Sequence, residues 1–252
     1  MKIGIVGYGH VGKAMGELFK DAVIYDEPLH IGTREEINEC DAVFVCTPTP
    51  QNPDGSCNTE IVESVIDWLN VDIIILRSTV YVGFTKAMVA KYKKAIVFQP
   101  EYYGETVAHP FSDLRSRQWV SLGGTKENIQ KAVKVYQTVY TSNVEMHFAD
   151  SDTVELAKYM ENAYLATKVI FCNEMYDLAK KLGISYDEAR EIWLADPRIG
   201  RSHTFVYEDN RGYGGSCLPK DVASVLYQAK QLNIDMTLLK AVVEKNNKLK
   251  KQ

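Results

Sequence analysis

The chain has 252 residues, 46% of them apolar and 25% charged, and its 29 basic and 33 acidic side chains leave a net charge of −4. That length suits one large domain or two modest ones with ample apolar material for a core, which excludes a disordered tail. The acidic balance, with no basic block beyond Lys245, Lys248, Lys250 and Lys251, offers no footprint for nucleic acid or an anionic membrane. No apolar run approaches the roughly 20 residues of a bilayer span, and the N-terminus enters a strand pattern without a signal peptide. A cytoplasmic location is therefore expected.

Short apolar runs at 3–6, 22–25, 42–46, 73–76, 95–98, 119–122 and 144–148 alternate with helical periodicity at 11–19, 60–69 and 127–140, the pattern of a sheet covered on both faces. From Asp152, with Glu155 three residues on as a candidate capping box, a helical pattern runs without Gly or Pro to Leu182, where Gly183 supplies a left-handed cap. Such a helix is about 45 Å long and needs a second surface for its apolar stripe. Further helices are predicted at 185–194, 220–231 and 235–250, with an irregular segment at 196–216. The expected fold class is α/β. A Rossmann-type doubly wound parallel sheet over residues 1–149 is followed by an all-helical domain over 150–252 with a long central helix.

Gly7-Tyr8-Gly9-His10-Val11-Gly12 follows the first strand and opens the first helix. In this motif Gly7 makes the tight turn, Gly9 lets backbone approach a pyrophosphate, and Gly12 lets helix and strand pack closely. Asp26 ends the second strand about 20 residues after Gly7, where an acid meets the ribose hydroxyls. With Glu27 next and no arginine directly after, the pattern favours NAD over NADP. His10, inside the motif, reads as a helix-start residue with at most a cofactor contact. Thr47-Pro48-Thr49-Pro50, Ser78-Thr79-Val80 and Pro100-Glu101-Tyr102-Tyr103-Gly104-Glu105 also fall just beyond strand ends, where open α/β sheets bind ligands.

The five cysteines, Cys40, Cys46, Cys57, Cys172 and Cys217, contain no Cys-x-x-Cys pair, so neither a metal nor a redox couple is expected. Four of them read as space-filling. Cys217 differs, because Gly212, Gly214 and Gly215 precede it and Pro219-Lys220-Asp221 open a helix after it. A helix N-terminus and a nearby lysine both favour the thiolate that a nucleophile requires. Lys158 and Asn162 are spaced i, i+4 and share one helix face. That pair suits stabilisation of an alkoxide, and a solvated pair is equally consistent with helix arithmetic.

Together these residues resemble the nucleotide-sugar 6-dehydrogenases, the family of UDP-glucose and GDP-mannose dehydrogenases. The glycine turn, Thr47 to Pro50, Ser78-Thr79-Val80 and Pro100-Glu101 match in order. So do Glu155 to Tyr159 with Asn162-Ala163, Asp196-Pro197-Arg198-Ile199-Gly200, and Gly214 to Asp221. The loop after Glu101 departs from it, reading Tyr102-Tyr103-Gly104 where the family commonly has Phe-Leu. Members usually continue with a third, C-terminal nucleotide-binding domain, and the resemblance is to a short member without it.

The resemblance implies NAD-dependent oxidation of a sugar primary alcohol to a carboxylate in two hydride transfers, most simply UDP-glucose to UDP-glucuronate. Cys217 would capture the aldehyde, Glu101 and Thr79 would assist thioester hydrolysis, and Lys158, Asn162 and Asp221 would surround the reacting oxygen. NAD would lie against Gly7, Gly9, His10, Val11, Gly12, Asp26, Thr47, Pro48, Thr79, Glu105 and Lys220. The nucleotide sugar would lie against Glu101, Tyr102, Lys158, Asn162, Gly214 and Cys217. Arg198 would reach substrate bound by the other subunit of a homodimer built on the long helix. Two other readings stay open here. One is a two-domain hydroxyacid dehydrogenase, which leaves Cys217 without a task. The other is a non-catalytic NAD-binding remnant that needs a partner chain.

Overall fold

The computed structural model describes residues 1–102, 119–140 and 144–251. The chain forms two compact units, one of Met1–Pro50 with Cys57–Lys158 and one of Gln51–Ser56 with Tyr159–Gln252. The first is built from β1 (Ile3–Val6), α1 (His10–Leu18), β2 (Val23–Tyr25), α2 (Arg34–Asn38), β3 (Ala42–Val45), α3 (Glu60–Trp68), β4 (Ile73–Leu76), α4 (Phe84–Tyr92), β5 (Ile96–Phe98), β6 (Trp119–Gly123), α5 (Lys126–Tyr136), β7 (Glu145–Ala149) and the start of α6 (Ser151–Leu182). The strands form one sheet in the order β2-β1-β3-β4-β5-β6-β7.

The four inner strands β1, β3, β4 and β5 are buried at every residue, which is why they read as unbroken apolar runs. Successive side chains still point to opposite faces. Ile3, Ile5, Phe44, Ile75 and Val97 pack under α1 and α5, while Val6, Val45, Ile74, Leu76 and Phe98 pack under α2, α3 and α4. Each such Val, Leu, Ile or Phe contributes about 1.5–3 kcal/mol by leaving water. Helices thus cover both faces, as the alternating pattern predicts.

The sheet departs from the all-parallel expectation at one junction. From β2 to β5 all pairs are parallel, but β6 meets β5 antiparallel through Phe98 and Gly123, and β7 is parallel to β6. Apolar alternation records which face a residue covers and carries no information on strand direction.

Two short helices were not expected. Thr33 opens α2 with a capping box, its hydroxyl accepting from the Glu36 N–H at 3.2 Å while the Glu36 carboxylate accepts from the Thr33 N–H at 2.9 Å. Helix α4 starts at Gly83, in the left-handed region at φ +98°, with no cap from its own segment. Its first N–H groups are satisfied from α6: Glu155 accepts from Gly83 N at 2.6 Å and Thr85 N at 3.0 Å. Glu155 therefore does not close the expected capping box with Asp152. The carboxylate that caps α6 is Asp150, which accepts from the Thr153 N–H at 2.9 Å and hydroxyl at 2.7 Å.

The second unit holds the rest of α6 with α7 (Tyr186–Trp193), α8 (Leu218–Gln231) and α9 (Thr237–Leu249). Gly183 ends α6 at φ +68°, and Ala166, Val169, Ile170, Tyr213, Val222, Val242 and Leu249 form the core of the unit. Among the described residues no helix is long and apolar enough to cross a membrane.

Burial pushes the Glu155 carboxyl up to about 7 from an ordinary 4.5, outweighing its N–H bonds. Between these values the folded chain holds a proton that the unfolded chain has released. The contribution of this group is therefore complete below the window and is lost as pH rises through it. Urea unfolding at about pH 5 and about pH 8 should show the wild type losing stability relative to Glu155→Gln at the higher pH. Glu155→Ala, which strands the Gly83 and Thr85 N–H groups, should cost about 1–3 kcal/mol.

Candidate active site

The turn after β1 is shaped by close backbone contacts. Gly7 sits at φ +89°, and a Cβ there would lie 2.9 Å from the Cys46 carbonyl at the end of β3. A Cβ on Gly12 would collide with the Gly7 carbonyl oxygen, whereas at Gly9 it would meet nothing within 4 Å. Two glycines are thus required by packing and the middle one leaves open space. The N-cap residue of α1 is Gly9, which has no side chain to cap with, and His10 and Val11 follow in the first turn; the start of such a helix directs its N–H groups towards an anion.

Asp26, just past β2, accepts from Tyr8 N at 2.6 Å and Leu29 N at 2.9 Å. The carboxylate is held beside the glycine turn, and each oxygen retains acceptor capacity for a ribose hydroxyl. The strand order reverses at β1, with β2 on one side and β3 on the other, the kind of switch point where such sheets bind nucleotides. The loops after β3 and β4 are tied together there: Ser78 Oγ donates to Thr47 O at 2.7 Å and Thr49 Oγ1 to Thr79 O at 2.7 Å. The Thr47 hydroxyl is buried without a hydrogen-bond partner among the described residues, while Pro48 beside it is exposed. Open space at Gly9, the fixed Asp26 carboxylate and the orphaned Thr47 hydroxyl suit a dinucleotide.

Glu101 follows β5 and is buried against Arg77, which follows β4 and is only 2% exposed. A guanidinium does not lose its proton in a protein, so a buried one needs an anion beside it, and the pair favours an ionised Glu101. The sequence reading missed Arg77. Its signal was a lone cation ending an apolar strand just before Ser78-Thr79. The Tyr102 and Trp119 rings pack at a tilt of 59° with centroids 4.7 Å apart, and Lys158 Nζ lies 4.6 Å from the centroid of the Tyr102 ring. Lys158 is buried, as is Asn162, which rules out the solvated pair. Glu105 lies outside the described residues.

In the second unit Asp221 is 2% exposed. It accepts from Asn162 Nδ2 at 2.5 Å and from Lys220 Nζ at 2.6 Å. Lys220, expected beside the cofactor and the thiol, thus has a carboxylate partner. Cys217 is the N-cap residue of α8, with Pro219 in the first turn, and is exposed, its Sγ 3.6 Å from Ser216 Oγ. Cys40, Cys57 and Cys172 are buried. Burial pushes the Cys40 and Cys172 thiols up and that of Cys46 to about 12, which leaves them poor nucleophiles. Gly214 is exposed. Arg198 is a surface side chain, 85% exposed and bonded to Asp196. Lys168, another residue missed in the sequence, donates to Ile199 O at 3.0 Å and Gly200 O at 2.7 Å and so holds that loop.

Residues 17–142 match the NAD binding domain of the UDP-glucose/GDP-mannose dehydrogenase family, and residues 152–248 match its central domain. The chain is 31% identical to the UDP-glucose 6-dehydrogenase of Campylobacter jejuni over an alignment 295 positions long, which covers 100% of this chain and 73% of that protein. Of several other curated relatives it spans about half the length. A solved UDP-glucose dehydrogenase from Pyrobaculum islandicum superposes with a TM-score of 0.83 at 26% identity, over 98% of this chain and 68% of that one. A UDP-D-ManNAc dehydrogenase from Pyrococcus horikoshii shares the fold, with a TM-score of 0.82 at 20% identity over 99% and 69%. With both domains matched over most of its length, the chain belongs to the UDP-glucose/GDP-mannose dehydrogenase family, and its cofactor is NAD.

Proposed function

We propose that this chain oxidises the primary alcohol of a nucleotide sugar to a carboxylate in two NAD-dependent steps, with UDP-glucose as substrate and UDP-glucuronate as product. Residues 1–149 act as the NAD-binding domain and 150–252 as the domain that carries the reactive Lys, Asn and Cys. The observation that carries this reading is Cys217, an exposed thiol at the start of α8, four residues before the buried Asp221. Oxidation of an alcohol to an aldehyde needs no nucleophile. Passing from aldehyde to acid by hydride transfer requires a tetrahedral adduct that still bears a transferable hydrogen. The UDP-glucose assignment draws on the relatives of that name at about 30% identity.

NAD, when bound, accepts hydride from the sugar carbon. Gly7, Gly9, Gly12 and the start of α1, with His10 and Val11, would hold the pyrophosphate; Asp26 would hold the ribose hydroxyls; Thr47, Pro48 and Thr79 would line the rest of the cofactor, and Glu105 and Lys220 are assigned to it by the family resemblance alone. Lys158 and Asn162 stabilise negative charge on the reacting oxygen, and Asp221 handles its proton. The Cys217 sulfur then adds to the aldehyde carbon. A C–S bond forms, the carbonyl π pair moves to oxygen, and that oxygen gains the proton the thiol loses. Transfer of the remaining hydride to a second NAD, with loss of that proton, leaves a thioester. Glu101, ionised beside Arg77, takes a proton from a water placed with Thr79. The water oxygen bonds to the thioester carbon, and the C–S bond breaks to release the thiolate. Tyr102 and Gly214 line the sugar side.

The functional unit is a homodimer. Helix α6 exposes Leu156, Met160, Tyr164, Phe171, Met175 and Leu178, spaced by three, four or seven residues and hence on one face. A second copy would cover that stripe, and Arg198 would reach the partner's substrate. The setting proposed for the chain is cytoplasmic, where a thiol such as that of Cys217 stays reduced.

Turnover on a panel of UDP- and GDP-sugars should yield two NADH per sugar oxidised, and a ratio of one would falsify the two-step reaction. Cys217→Ser should make no acid; acid formed at the wild-type rate would remove Cys217 as nucleophile. For the cofactor site, Gly9→Ala should keep the melting temperature yet weaken NAD binding by calorimetry. Gly12→Ala should cost about 1–3 kcal/mol of stability through the collision with Gly7. Met160→Glu should halve the mass measured by light scattering if α6 is the dimer face.

A further inference from the structure

The segment that leads into Cys217 is held by two buried asparagines that the chemistry above does not use. Asn246, on α9, lies against Tyr213, its Oδ1 accepting from Tyr213 N at 2.8 Å and its Nδ2 donating to Tyr213 O at 3.1 Å. An amide side chain carries one acceptor and one donor group side by side, so it pairs with both backbone groups of one residue. Asn173, on α6, accepts through Oδ1 from Arg211 Nε at 2.6 Å and from Gly212 N at 3.2 Å. Both asparagines are nearly inaccessible to solvent, at 2% for Asn173 and 7% for Asn246. Gly212, at φ +73°, leaves room for the Asn246 carboxamide, and a Cβ there would collide with Asn246 Oδ1.

The other end of the same segment is also tied to α6. Asn162 bonds to Asp221 at 2.5 Å, and Asp221 N donates to Cys217 O at 2.9 Å. Between the anchored Tyr213 ring, 4% exposed in the core of the unit, and Leu218 at the start of α8, residues 214–217 are exposed. The thiol therefore sits on a short tether whose two ends are indexed to one rigid helix, α6, which also carries Asn162. A tether with fixed ends keeps few conformations, and holding a reacting group in place is itself a source of rate.

We propose that Asn173 and Asn246 are positioning residues that hold the Cys217 tether for addition of sulfur to the aldehyde. This rests on the reading of Cys217 as the nucleophile. The test uses the full chain with NAD, the aldehyde of UDP-glucose as the probe for the second oxidation, and amide hydrogen exchange as a readout independent of turnover. In Asn246→Ala the Tyr213 amide should exchange at least about tenfold faster. The kcat for aldehyde oxidation should fall at least about tenfold while KM for NAD stays at the wild-type value. Unchanged exchange at Tyr213 overturns the clamp, and faster exchange with unchanged kcat overturns its positioning role. Loss of kcat with a matching rise in KM for NAD and faster exchange throughout α8 and α9 shows general loosening, which also overturns it. Should Asn246→Ala not fold, Gly212→Ala displaces the same carboxamide and is read in the same way. Cys217→Ser run in parallel separates the two ideas. Full acid formation in that variant overturns the thiol chemistry and the proposal with it, whereas acid lost there but retained in Asn246→Ala overturns the positioning role alone.

Discussion

A charge removed from water must find a partner, and that requirement organises both units of this chain. Asp221 is almost fully buried and meets Asn162 and Lys220, which joins α8 to α6. Arg77, buried at the end of β4, meets Glu101 beyond β5. The fully buried Glu155 carboxyl, which burial drives towards its neutral form, still receives the first N–H groups of α4. In each case a polar group near the end of one element is completed by another element, so helices and loops that are distant in sequence are brought into fixed relation. The residues to which we assign chemistry are drawn from these pairs or stand within a few positions of them.

The sheet supplies the platform. Its inner strands are apolar on both faces and so demand helices above and below, leaving the loops beyond their ends as the places where polar side chains collect. Gly7 and Gly9 after β1, Thr47 after β3, Thr79 after β4 and Glu101 after β5 come from such loops, while Gly12 lies in the first turn of α1 and Asp26 follows the edge strand β2. In the helical unit the same separation of tasks holds. A small core around Tyr213, Val222 and Val242 fixes the backbone from which the exposed Cys217 is displayed.

Much of this was legible because it is local. The glycine turn states its own backbone requirements, the spacing to Asp26 follows from one strand–helix–strand unit, and the run from Asp152 to Leu182 has no residue to interrupt a helix. The Thr33-x-x-Glu36 box that opens α2 was legible too and went unread. Helix α4 was not legible, because its cap is supplied by Glu155 about 70 residues later. Asp152 and Glu155 had the spacing of a capping box, yet Glu155 found buried backbone donors and Asp150 took the capping role. The Lys158 and Asn162 pair illustrates the limit well: helix spacing places them on one face but does not say whether that face meets solvent or protein.

The sequence by itself determined the class of fold, the nucleotide turn and the long helix, since these depend on periodicity and on contacts within a few residues, and it supplied the residues to which we assign chemistry. Only the tertiary structure decided the antiparallel entry of β6, the burial of Lys158, Asn162 and Asp221, the Arg77–Glu101 pair and the two asparagines that hold the Cys217 tether. Each of these is a meeting of segments far apart in the chain, settled by which buried donor or charge finds an acceptor once the core has closed, and no local pattern encodes that choice.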